Sequence, residues 1–108
     1  MCKSKIHRAT VTKANLDCQG SITIDTNLMK LADILPYELV HINNMANAVH
    51  WETYAIPGEI GEICLNGCPA RLFQVGDEVI ILAFTQCHDY EDFNHSLVLV
   101  DKNNFPLK

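Results

Sequence analysis

The sequence has no excess of basic residues, no long apolar run and no closely paired cysteines. Lys and Arg number 8 against 13 Asp and Glu, for a formal net charge of −5 at pH 7. A nucleic-acid footprint needs a clustered basic face, so no nucleic-acid partner is expected. The longest apolar piece, "VIILAF" from Val79 to Phe84, is of strand length and far short of a membrane span. The N-terminus "MCKSKIHRAT" is polar and lacks a signal-peptide core. No membrane partner and a cytoplasmic location are therefore expected. The five cysteines, Cys2, Cys18, Cys64, Cys68 and Cys87, are odd in number and form no C-x-x-C pair. They read as reduced, mostly buried thiols, and no metal site is expected from their spacing.

Signature motifs are equally sparse. The glycines of "GEIGE" (Gly58 to Glu62) are spaced wrongly for a nucleotide fingerprint, and no G-x-S-x-G elbow occurs. "CHDYEDFNH" (Cys87 to His95) holds two histidines, a cysteine and three acids, but it matches no tight ligand spacing and reads better as a solvated acidic loop. A metal-binding β domain using this tract is the weaker alternative. His7, His41 and His50 lie in or beside strand-like runs and read as structural histidines.

What is present is a β pattern. "HRATVT", "SITID", "ELVHIN", "ETYAI", "EICL", "EVIILAF" and "SLVLVD" are short, rich in β-branched residues and separated by Gly, Asn, Asp and Pro. One helix is expected in "DTNLMKLADIL", with Asp25, Thr26 or Asn27 as N-cap, Leu28, Leu31, Ala32 and Leu35 on one face, and Pro36 as terminator. A short turn is expected at Cys68 to Phe73. With no linker and 48% apolar residues, the chain reads as one domain over residues 1–108 and as a small closed or nearly closed barrel.

From "SKIHRATVT" onward the sequence resembles the aspartate 1-decarboxylase family, the pyruvoyl enzymes of bacterial pantothenate synthesis. The shared pieces are Lys5-Ile6-His7-Arg8, the pair Gly20-Ser21, Thr53-Tyr54-Ala55-Ile56, the turn Asn66-Gly67 and Val75-Gly76-Asp77. Each is weak alone, but their order and spacing match over nearly the whole chain. The resemblance implies a six-stranded double-psi β-barrel with one or two short helices, assembled as a homotetramer. It also implies self-cleavage at Gly20-Ser21, giving a β chain of residues 1–20 and an α chain of residues 21–108. The cofactor would be a pyruvoyl group generated from Ser21, and the reaction would convert L-aspartate to β-alanine and CO2. A helper protein for maturation is a further partner that the resemblance admits.

The chemistry explains the residue types. Removing CO2 from an α-amino acid leaves a carbanion, which needs an electron sink; a ketone made from the chain itself is a small one. In the route the resemblance implies, the Ser21 hydroxyl attacks the Gly20 carbonyl, and the peptide becomes an ester with a free amine. Elimination then breaks the Cβ–O bond, leaving Gly20 as a C-terminus and dehydroalanine at position 21. Hydrolysis takes up water, releases ammonia and leaves the pyruvoyl group. Glycine at 20 is expected to ease the attack through its small size and unusual φ/ψ.

The resemblance assigns Thr53 as oxyanion donor to the Gly20 carbonyl, Tyr54 as proton donor to Cα after CO2 leaves, and Lys5 as a carboxylate-binding cation. Asn66, Gly67, Cys68 and Pro69 form the matched substrate-binding turn, although Pro69 lacks an N–H. Thr53 and Tyr54 are adjacent and must face opposite sides of a strand, so a site between subunits is expected. Three positions depart from the family pattern. His50 stands where an arginine is usual, Asn43 where an aromatic residue is common, and Cys18 where tyrosine is frequent. His50 could serve in part for the missing guanidinium when protonated. These departures motivate a second hypothesis, a decarboxylase-like barrel that binds a small acid or protein partner without catalysis.

Overall fold

A computed structural model describes residues 1–87 and 93–107. Among these residues, eight strands form one sheet: β1 (Cys2–Thr10), β2 (Lys13–Asn15), β3 (Ser21–Asp25), β4 (Leu39–Asn44), β5 (His50–Gly58), β6 (Ile63–Asn66), β7 (Glu78–Phe84) and β8 (Ser96–Leu99). Helix α1 (Thr26–Leu31) follows β3, and a 3-10 turn spans Cys68–Arg71. Among the described residues no helix is long and apolar enough to cross a membrane.

Hydrogen bonds close this sheet into a ring. The order runs β2-β6-β3-β5-β4-β7-β1-β8. β1 and β2 are successive parts of one run, and the chain passes from β7 to β6 between them. The Val11 N–H donates to the Asp77 carbonyl (2.9 Å), and the Thr12 N–H donates to the Ile63 carbonyl (2.8 Å). The Thr12 hydroxyl also accepts from the Ile63 N–H at 3.0 Å. With β1 and β2 counted as one, six strands complete the ring. β8 lies outside it, parallel to β1 over Ser4–His7.

Alternation sorts the side chains. Ile6, Ile22, Ile24, Val40, Ile42, Ala55, Ile63, Leu65, Val79 and Ile81 are fully buried and fill the barrel. Their neighbours along each strand face outward. Hence Ser21 and Thr23 on β3, Tyr54 and Ile56 on β5, and Cys64 and Asn66 on β6 share the outer surface.

α1 starts as its sequence dictates. The Asp25 carboxylate caps it by accepting from the Asn27 N–H at 2.7 Å, and its second oxygen accepts from the Gly61 N–H at 2.8 Å, tying the helix to the β5–β6 connection. The helix is shorter than its apolar pattern suggests. It ends at Leu31, and Asp33 takes a left-handed φ of 55°. Leu28, Met29 and Ala32 are buried, whereas Leu31 and Leu35 are exposed. The cysteines also differ from expectation: only Cys64 is buried, Cys2 is half-buried, and Cys18, Cys68 and Cys87 are exposed. Much of the Cys87–His95 tract lies outside the described residues. Its last member, His95, donates from Nδ1 to the Cys2 carbonyl at 2.9 Å.

Candidate active site

Ser21 opens β3 and pairs with Asn66 at the end of β6. Its side chain is buried on the outer side of the barrel wall. The Asn66 Nδ2 donates to the Ser21 hydroxyl and to the Thr23 hydroxyl, each at 3.0 Å. The Asn66 Oδ1 in turn accepts from the Cys64 thiol at 3.2 Å. Cys64 thereby fixes which way the amide points, and the amide fixes the Ser21 rotamer. Burial pushes the Cys64 thiol up from its ordinary value, and the negative charge of Glu62 adds to this, so Cys64 stays protonated and able to donate.

These groups line an open cleft of about 470 Å³ bounded by Cys18, Gln19, Ser21, Thr23, Tyr37, Tyr54, Ile56 and Asn66. The Tyr54 ring stacks at a tilt on Tyr37, with centroids 5.8 Å apart. Tyr37 is held in a left-handed conformation (φ 68°) by its N–H, which donates to the Ala55 carbonyl at 2.7 Å.

Gly67 is wedged against the backbone of Gly20, the residue before Ser21. It has φ 83° and ψ −146°, a region nearly closed to other residues. A Cβ here would lie 2.9 Å from both the Cα and N of Gly20 and 3.0 Å from the Cys18 carbonyl oxygen. The glycine requirement is therefore strongest at Gly67. Gly20 is not among the glycines with positive φ, and a Cβ added there meets nothing within 4 Å.

The single chain gathers Ser21, Tyr54 and Asn66 around one cleft, with Gly20 and Gly67 beside it. Cys68 and Pro69 follow in the 3-10 turn, Cys68 exposed and Pro69 buried. Thr53 is not on the cleft wall. It alternates with Tyr54 and pairs with Val40. Lys5 lies on β1, away from the cleft strands, and His50 opens β5 four residues before Tyr54; neither lines the cleft. Lys5 pairs with Leu82, Leu82 with His41, and His41 with Glu52, in one row across β1, β7, β4 and β5. His50 is engaged by its neighbours: Nδ1 meets Asn43 Oδ1 at 2.7 Å and Nε2 meets Glu52 Oε2 at 3.0 Å. The His50 bond and the nearby His41 hold the Glu52 carboxyl below its ordinary value.

Sequence reasoning missed Thr23, Tyr37 and Cys64. The alternation of "SITID" already places Thr23 on the face of Ser21, and Cys64 stands two residues before Asn66 on the same face. Nothing local marks Tyr37, which the turn after Pro36 brings to the cleft.

The family model for aspartate decarboxylase matches residues 1–106. The chain is 55% identical to an aspartate 1-decarboxylase of Thermoanaerobacter pseudethanolicus, over 99% of this chain and 95% of that protein. It is 54% identical to one of Desulfitobacterium hafniense, over 100% of this chain and 88% of that protein. It is 47% identical to one of Leptospira biflexa, over 100% of this chain and 96% of that protein.

Proposed function

Since the chain belongs to the aspartate decarboxylase family, we propose that it cuts its own Gly20–Ser21 bond and then decarboxylates L-aspartate to β-alanine. The observation that carries this reading is the hold of Asn66 on the Ser21 hydroxyl, in the same cleft as Tyr54 and beside Gly67. A pyruvoyl group formed at position 21 would supply a ketone that condenses with the substrate amine and takes up the electron pair left on Cα when CO2 departs. The site suits such a group, because residue 21 faces the cleft from a buried position and has a donor, Asn66, fixed on it.

The remaining roles belong to side chains. Ser21 attacks the Gly20 carbonyl, and Asn66 keeps its hydroxyl in one rotamer. Tyr54, positioned by Tyr37, returns a proton to Cα. Thr53 donates to the Gly20 oxyanion, and a second copy of the chain completes the site. Lys5 and His50 bind substrate carboxylates from that neighbouring copy, with the Gly67-Cys68-Pro69 turn closing the pocket. The assembly is a homotetramer working in the cytoplasm. Leu39, Phe84, Leu97, Leu99 and Leu107 are large apolar residues left exposed on the single chain, which favours burial against further copies.

A second reading is favoured by one contact. Glu52 occupies His50, so a substrate carboxylate must compete with a resident one. On this reading the barrel cleaves itself and binds a small acid without turnover. Incubation with L-aspartate and cyanoborohydride separates the two. Decarboxylation predicts CO2 release, β-alanine and a reduced adduct on the 21–108 fragment. Cleavage without CO2 or adduct would sink the aspartate assignment.

A further inference from the structure

We propose that His41, His50 and Glu52 form a zinc site on the outer surface of the barrel. The three residues come from two paired strands. His50 and Glu52 are two apart on β5 and so share a face, and His41 on β4 is the cross-strand partner of Glu52. Their ligand atoms lie within 4.8 Å of one another. His50 Nε2 lies 3.0 Å from Glu52 Oε2, and His41 Nε2 lies 3.7 Å from Glu52 Oε1. Zinc held tetrahedrally by N and O ligands at roughly 2.0–2.2 Å keeps those atoms about 3.3–3.6 Å apart. The observed spacings, one to each oxygen of the Glu52 carboxylate, fall on either side of that range.

The surrounding residues orient the ligands as a metal site needs. The Asn43 Oδ1 accepts from the His50 Nδ1–H at 2.7 Å, which fixes the ring, and zinc at Nε2 would take the place of the proton that faces Glu52 in the metal-free chain. His41 is seated by its ring on Phe84, with centroids 4.5 Å apart, and meets the edge of His50 at 5.1 Å. Two imidazoles and a carboxylate are a donor set suited to zinc, and three protein ligands leave a fourth position open. His50 and Asn43, which both depart from the family pattern, are bonded to each other here, so the two departures form one local device. No sequence spacing reveals the site, because the third ligand enters through strand register.

The test is equilibrium dialysis of the untagged full chain against zinc, with no substrate present, so its outcome does not depend on the decarboxylase reading. One zinc per chain is expected. His41→Ala and Glu52→Gln are expected to abolish that stoichiometric binding, and Asn43→Ala to weaken it by about 10- to 100-fold. Glu52→Gln is nearly isosteric at an exposed position, so it decides the matter if His41→Ala fails to fold. Cobalt in place of zinc is expected to show visible bands of nitrogen and oxygen ligation. The proposal is overturned if the wild-type chain binds no zinc, if binding survives in Glu52→Gln, or if cobalt shows thiolate charge transfer from a cysteine site.

Discussion

Replacing Gly67 by alanine tests whether the turn after β6 shapes the cleavage site. The substitution has two separable effects. The first is conformational, because φ 83° and ψ −146° cost a residue with a Cβ roughly 1–3 kcal/mol. The second is contact: the new methyl would stand 2.9 Å from two backbone atoms of Gly20, and backbone cannot swing aside like a flexible side chain. Overpacking of this kind adds roughly 1–3 kcal/mol. The sum, about 2–6 kcal/mol, lowers the melting temperature of a domain this size by roughly 10 °C or more. Gly76→Ala is the control. Gly76 has φ 95°, yet a Cβ there meets nothing within 4 Å, so it carries the first cost without the second. A methyl wedged against Gly20 displaces the carbonyl that Ser21 attacks, and a misplacement approaching 1 Å costs about 100-fold in rate. Self-cleavage is followed by intact mass on protein with native circular dichroism. Gly67→Ala is expected to cleave at least ~10-fold more slowly than wild type, and Gly76→Ala at the wild-type rate. Equal rates in all three, with equal melting losses in the two variants, would refute the wedge.

Three further outcomes follow from the same geometry. Asn66→Ala frees the Ser21 rotamer and leaves two hydroxyls without their donor; a stability loss of about 1–3 kcal/mol in urea titrations and slower cleavage by intact mass are expected. Tyr54→Phe removes the proton donor but not the cleavage machinery, so the chain is expected to cleave normally while β-alanine formation falls by about 100-fold or more. Cys64 has its proton held more tightly in the folded chain than in the unfolded one. Its contribution to stability is therefore complete below the ordinary thiol range and is lost as pH rises through and beyond it. Urea midpoints between about pH 7 and pH 10 are expected to fall less steeply in Cys64→Ala than in wild type, and Cys64 is expected to resist alkylation while exposed Cys18 and Cys68 react.

Much of the barrel was legible in local pattern. "SITID" and "EVIILAF" alternate cleanly, and β3 and β7 occupy those residues. Boundaries set by distant partners were not legible. β1 begins at Cys2, ahead of the expected start at His7, because β7 and β8 both pair with its first half. The polar β2 exists only because β6 lies beside it. The helix buries Met29 in place of Leu31, since the break at Asp33 ends the 3.6-residue period early. In the site, Gly20, Ser21 and Asn66 were readable from the resemblance. The approach of Gly67 to Gly20 and the meeting of His41 with Glu52 come from strand register between distant segments, and no local motif encodes them.

The central claim is that Ser21 becomes the cofactor by cutting its own chain, and intact mass tests it most directly. Fully matured wild type is expected as two fragments, Met1–Gly20 and residues 21–108, whose summed mass equals the parent plus water minus ammonia. Ser21→Ala is expected to remain one chain. A wild-type protein that stays whole on prolonged warming, both alone and in an extract of a cell that expresses it, would contradict the account. So would two fragments whose masses sum to the parent plus water alone.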